Sequence, residues 1–289
     1  MAPARLSPCG EEARRSDHDR YLTCLFAPGD RREALFALLV FNAEIAQVRD
    51  SVREPMMGRI RLQWWRDTID ALCASDAPRL NHPVAKPLAD AIARHGLSRH
   101  HFETLIDARD STIEGLPTAN LADFIDYAEA TSAPLAALFL EVLGATDWPE
   151  AGRAATAAAG RHTSIAWALT GLLRALPFNA ARDRTTLPAE LFARHRVLPC
   201  AATGKTHDPR ALVPLVAEVA TLAHSHIDEA RRLAGYVQKA ALPLLLQATL
   251  AKLYLDSLAK SGHDVSAACV QRHPLAPLLL TWKAVWGRY

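Results

Sequence analysis

The sequence predicts an all-α fold, a single-domain helical bundle, on three observations. Apolar positions recur at helical spacing along almost the whole chain. No stretch alternates apolar and polar residues between turn signals, and no period of roughly 20 to 50 residues repeats. The first two disfavour strands and the third a solenoid, which leaves a compact bundle. At 289 residues the chain is long for one domain, yet helices can build that length around one core.

Residues 1–18 hold Glu11, Glu12 and Asp17 but no apolar run. They read as a flexible tail, and as neither a secretory signal nor an acid-poor transit peptide, so the helical domain is expected over 19–289. A first helix is predicted from Asp30, as cap, to Ser51, with Leu35, Leu38, Leu39, Ile45 and Val48 on its apolar side. Glu54-Pro55 interrupts the pattern, and a second helix from about Met57 to Cys73 carries Trp64 and Trp65, which cannot share one face. Helices over Pro83 to His95, Arg99 to Glu114 and Leu121 to Leu143 follow, the last kinked or divided at Pro134. Trp148 to Leu176 is a long helix with an Ala-rich start that allows close packing. A short helix after Leu187-Pro188 reaches His195, and Cys200 to Asp208 reads as an exposed loop. Three more helices are expected over Pro209 to Gly235, Ala240 to Ser261 and Pro274 to Trp286.

Composition narrows the function classes. A net charge of +2 is too small for a general polyanion binder, so nucleic acid is not an expected partner. Arg outnumbers Lys, however, and its planar fork suits phosphate at a local site. Cys9, Cys24, Cys73, Cys200 and Cys269 stand far apart without a Cys-x-x-Cys pair, which fits a reducing compartment and neither zinc nor disulfides. Apolar runs such as Ala34 to Phe41 fall well short of the ~20 residues needed to span a bilayer. Localisation is expected to be cytoplasmic, with peripheral contact at the inner membrane as a variant, although no strongly basic amphipathic helix marks such a contact. His100-His101 and His224-x-His226 read as core or surface residues, because side chains two apart on a helix diverge by about 200°. Gly204-Lys205-Thr206 lacks the earlier glycine and the strand of a phosphate loop.

Two motifs carry more. Arg31-Arg32-Glu33-Ala34-Leu35-Phe36-Ala37-Leu38, running without a gap to Asp50, resembles the helix of squalene and phytoene synthases that ends in an aspartate-rich motif. Leu169-Thr170-Gly171-Leu172-Leu173-Arg174, followed by Arg182-x-Arg184-x-x-Leu187-Pro188, is similar to that family's second motif. Arg61 to Arg66, Asp107 to Asp110 and Tyr127 to Thr131 look like its weaker signatures. The resemblance implies an isoprenoid synthase fold. The segment from Phe41 to Met56 and the Gln63-Trp64-Trp65-Arg66 run look most like the divergent branch that includes the mitochondrial complex I assembly factor and its alphaproteobacterial relatives.

In active members the first motif holds two carboxylates four residues apart, and the second places Asp after its Arg and again four residues on. The corresponding positions here are Ala46 and Asp50, then Ala175 and Asn179. The spacing matters because residues at i and i+4 share one helix face, so facing helices can clamp magnesium ions that neutralise a departing diphosphate. Glu44 is no substitute: six residues from Asp50, it points about 240° away around the helix. Between Trp167 and Arg182 there is no Asp or Glu at all. No metal or cofactor is therefore expected, and no catalytic residue is assigned beyond Asp50 as the retained acid. Arg49, Arg53, Arg174, Arg182 and Arg184 are left as candidates, with Asp50, for binding a prenyl diphosphate or another lipid; equally, they can pair with neighbouring carboxylates. Trp64 or Trp65 could line a prenyl cavity.

The expected function is a noncatalytic or repurposed binding or assembly factor, with a respiratory-complex partner implied by the branch. One alternative is a magnesium-dependent prenyl transferase making squalene-type or phytoene-type products. Another is a metal-independent prenyl-lipid binding protein.

Overall fold

The computed structural model describes residues 6–52, 54–74, 82–115, 118–203, 208–268 and 273–289. Among them there are fifteen α-helices, three short 3-10 turns and no strand. They group into two compact units, each assembled from separate stretches of chain.

The first unit comprises 1–114, 134–157 and 236–244. Its opening corrects the sequence reading, because α1 (Pro8–Ser16) is a helix where a flexible tail was expected. Ser7 caps it, accepting from the Gly10 amide at 2.9 Å, and Pro8 supplies a preset first turn. Its buried residues, Cys9, Gly10 and Ala13, are small, so the helix lies close on α3 without the apolar run that usually announces a packed helix. Asp17 then caps α2 (His18–Cys24) through the Arg20 amide.

The centre of this unit is α3 (Gly29–Ser51). Every residue from Ala34 to Asn42 is buried, so the helix is surrounded rather than one-sided. It packs against α1, α2, α4 (Pro55–Cys73), α5 (Ala85–His95) and α6 (Arg99–Asp110). Asp30 is not its cap: the helix begins after Pro28, and Asp30 lies in the first turn, where the helix dipole favours a carboxylate. Pro55 opens α4 two residues ahead of the expected start, and Gly96, at φ 60°, closes α5 in the left-handed conformation that glycine adopts without strain.

The second unit comprises 115–133, 158–235 and 245–289. The predicted division at Pro134 is present: α7 (Leu121–Ala130) ends before α8 (Ala133–Val142). Next come α9 (Glu150–Arg174), α10 (Leu176–Ala180), α11 (Ala189–His195), α12 (Pro209–Arg232), α13 (Leu242–Lys260), α14 (Val265–Ala268) and α15 (Ala276–Val285). Each of α8, α9 and α13 contributes residues to both units, α8 almost wholly to the first. Within the second unit α12 packs against α11 and α14, and α9 reaches α7 through an ion pair between Arg161 and Glu129. No described helix is long and apolar enough to cross a membrane.

Candidate functional site

The first group of candidate residues occupies the last turns of α3. Ala46 and Arg49 are half-buried and Asp50 is exposed. Asp50 follows Ala46 by one turn on the same side of the helix, so that side presents one acid and one alanine. Arg49 and Asp50 each interact with other groups. Arg53 lies outside the described residues, as do Cys269 and Gly204-Lys205-Thr206.

A cavity of about 350 Å³ lies along a different side of α3, lined by Glu44, Val48, Ser51, Arg61, Trp64 and Trp65 among others. Ala46 and Asp50 are absent from its lining. The two tryptophans divide as their adjacency requires, with Trp65 3% exposed and Trp64 39%. Trp65 meets Phe41 edge-on at 5.1 Å between ring centres, and Trp64 stands 4.9 Å from the His82 ring. Arg61 donates to Ser51 Oγ at 2.7 Å, which ties α4 to the end of α3. The cavity thus combines an aromatic wall with the carboxylate of Glu44 and the guanidinium of Arg61.

The Asp107 and Asp110 signature has a structural use. Arg66 of α4 reaches Asp107 at 2.8 Å and Asp110 at 2.9 Å, while Arg59 pairs with Glu114 at 2.6 Å. Asp107 and Asp110 thus fasten α6 to α4, and Glu114 adds a tie from the turn after α6. The thiol of Cys9, on α1, is pushed up to about 12 by burial and by the nearby Glu33 and Glu12, which makes it unsuited to act as a nucleophile.

The second motif forms the corner between α9 and α10. The Arg174 guanidinium lies 3.8 Å from the Tyr254 ring centre and 5.9 Å from that of Trp167. Arg182 stacks on Phe178 at 3.5 Å and is exposed. The Asn179 carbonyl accepts from the Arg182 amide at 2.9 Å and the Arg184 amide at 3.0 Å, so the backbone folds both arginines around that residue. Ala175 and Asn179 are half-buried and linked by the Asn179 amide to the Ala175 carbonyl at 2.9 Å. Arg174, Ala175, Asn179, Arg182 and Arg184 are therefore gathered within the second unit, while Ala46, Arg49 and Asp50 belong to the first. Of the two uses weighed for the arginines, phosphate binding or pairing with carboxylates, neither anticipated the aromatic seats of Arg174 and Arg182. Among the described residues, no group of three or more His, Cys, Asp or Glu side chains is placed to hold a metal ion.

A histidine pair escaped the sequence reading, because its members are distant in the chain. His162 of α9 and His226 of α12 approach to 2.9 Å between their Nδ1 atoms, which requires one nitrogen to donate and the other to accept. Burial comes first among the causes that lower both pKa values; Arg161 opposes protonation of both, and His162 also opposes it at His226. Glu129 and Glu229 counter this in part. Burial also depresses His95, His101 and His224. A histidine with a lowered folded-state pKa binds protons more readily when unfolded, so stability holds above the unfolded value of 6.5 and declines as pH falls below it. Melting temperature should therefore drop between pH 7.5 and roughly pH 5. His226→Asn should reduce that slope, and an unchanged slope would contradict the role given to the pair.

Comparison with known proteins follows the same lines. The squalene/phytoene synthase family model matches residues 13–287. The chain is 32% identical over 279 residues to the NADH dehydrogenase (ubiquinone) complex I assembly factor 6 of Bos taurus, covering 95% of this chain and 81% of that protein. The Homo sapiens assembly factor 6 is 30% identical over 282 residues, covering 96% and 82%. A presqualene diphosphate synthase of Rhodopseudomonas palustris is 28% identical over 178 residues, covering 61% of this chain and 60% of the enzyme. Among solved structures, a dehydrosqualene synthase superposes with a TM-score of 0.80 at 15% identity, covering 96% of this chain and 94% of its own. A squalene synthase from Alicyclobacillus acidocaldarius gives 0.73 at 18% identity, covering 89% and 93%. At such identities the likeness establishes the all-helical isoprenoid synthase fold.

Proposed function

The chain belongs to the squalene/phytoene synthase family, and from its place among its relatives we infer that it is a noncatalytic assembly factor for a respiratory NADH dehydrogenase, complex I. One observation carries this reading: the similarity to assembly factor 6 runs along 95% of the chain at 32% identity. The similarity to the presqualene diphosphate synthase covers 61% of it. The motif positions point the same way. Ala46, Ala175 and Asn179 stand at motif positions where the family resemblance places three magnesium-holding carboxylates, so the motifs lack the charge that ionises a prenyl diphosphate. Fold alone would not decide this, since one scaffold serves many functions.

What remains suits binding. Within the second unit Arg174, Arg182 and Arg184, and separately Arg49 in the first, carry the charge that suits a diphosphate or lipid headgroup without a metal. In this proposal such a ligand is bound and not converted. Deleting the gene in its own host should lower the amount of assembled complex I and its NADH oxidation severalfold, leave squalene and carotenoid content unchanged, and be corrected by the intact gene. Normal complex I in the deletion strain, or a loss confined to isoprenoid products, would refute the proposal.

A further inference from the structure

An ordinary surface helix turns its apolar side inward. On α15 the arrangement is reversed over one side. Ala276 and Leu280 are buried, yet Leu275, Leu278, Trp282, Val285 and Trp286 are 56%, 70%, 57%, 77% and 66% exposed. At 100° per residue these five fall within an arc of about 100°, on the side away from Leu280. Scattered exposed apolar residues are common, whereas a continuous stripe containing two indoles marks a surface that something covers.

Charge indicates what covers it. Residues 265–289 include Lys283 and Arg288 and not one Asp or Glu. Burial, followed by the like charges of Arg231, Arg288 and Lys252, lowers the pKa of Lys283, so cations crowd beside the stripe. Nearby, Lys252 is paired with Asp256 at 2.8 Å, and Arg231 donates to the Tyr289 carbonyl at 3.1 Å. A second copy of the chain is a poor occupant, because a two-fold contact would set one cationic cluster against the other. An anionic lipid surface complements both features. Indoles favour the boundary between headgroups and acyl chains, and basic side chains favour the phosphates above it.

We propose that the exposed stripe of α15 docks on an anionic lipid surface, with Leu278, Trp282, Val285 and Trp286 entering the interface and Lys283 and Arg288 meeting lipid phosphates. Ten residues give a reversible, salt-sensitive attachment and not a permanent anchor. The inference goes beyond the assembly reading and holds independently of it. The sequence marks a helix from Pro274 to Trp286 but not which of its sides is inward, and the burial of Leu280 fixes that.

The test uses the full chain and sedimentation with vesicles of phosphatidylcholine, alone or with about a third phosphatidylglycerol. Binding is expected to the anionic vesicles, to weaken with added salt, and to be slight on the neutral ones. Trp282→Ser combined with Trp286→Ser should weaken it at least tenfold, and Lys283→Glu severalfold, with the wild-type helical content retained because both indoles are exposed. Met57→Ser with Ile60→Ser, on the exposed side of α4, should leave it unchanged. The proposal fails if the wild type ignores anionic vesicles, or if neither the tryptophan pair nor Lys283→Glu affects binding. It also fails if the α15 stripe instead mediates self-association or capture of a soluble protein without lipid.

Discussion

Phe41→Ala is expected to cost about 3–5 kcal/mol, the usual penalty for emptying a fully buried aromatic site. Phe41 lies on α3, which packs against five other helices, and it has no solvent exposure. Its ring meets Trp65 of α4 at 5.1 Å and Phe102 of α6 at 5.3 Å, both edge-on, so truncation removes two favourable aromatic contacts and leaves a void among three helices. Leu38, Leu62 and Leu105, on the same three helices, are themselves fully buried, so the surroundings have little freedom to collapse into the space. The melting temperature should fall by roughly 10 °C, read by circular dichroism or calorimetry. A fall of about 2 °C or less would mean that α3 is not the centre of its unit. The reading also bears on function, because α3 places Ala46, Arg49 and Asp50 together at its end.

Much of this architecture was legible where local chemistry marks it. Pro55, Gly96, Pro134 and Asp208 punctuate the chain, and the helices begin or end within a few residues of the positions they indicate. The elements that escaped depend on partners distant in sequence. The buried residues of α1 are too small to register as an apolar stripe, so only the packing on α3 reveals the helix. The two compact units are built from interleaved stretches, and composition does not change at their boundaries.

The candidate site divides in the same way. The resemblance to the family's two motifs pointed to Ala46, Asp50, Ala175 and Asn179, and helical spacing explains why residues four apart share a face. Spacing could not say that the aromatic cavity beside Trp64 would form on the Glu44 side of α3. Nor could it seat Arg174 on Tyr254, 80 residues further along the chain. The reversed stripe of α15 belongs to this class too: periodicity detects an apolar face but not the direction in which it points.

The proposal that the chain is noncatalytic rests on charge. Ionising an allylic diphosphate leaves a pyrophosphate whose negative charge must be met by divalent cations on hard oxygen ligands, a contribution worth several kcal/mol in the transition state. Losing it costs roughly a thousandfold in rate or more. Of the four positions where the family motifs place acids, only Asp50 is one, and arginine, itself a cation, anchors no metal. Incubating the purified chain with labelled farnesyl and geranylgeranyl diphosphates, magnesium and a reductant is therefore expected to return both substrates intact over hours. Magnesium-dependent formation of a presqualene, squalene or phytoene product, abolished by Asp50→Asn, would contradict it.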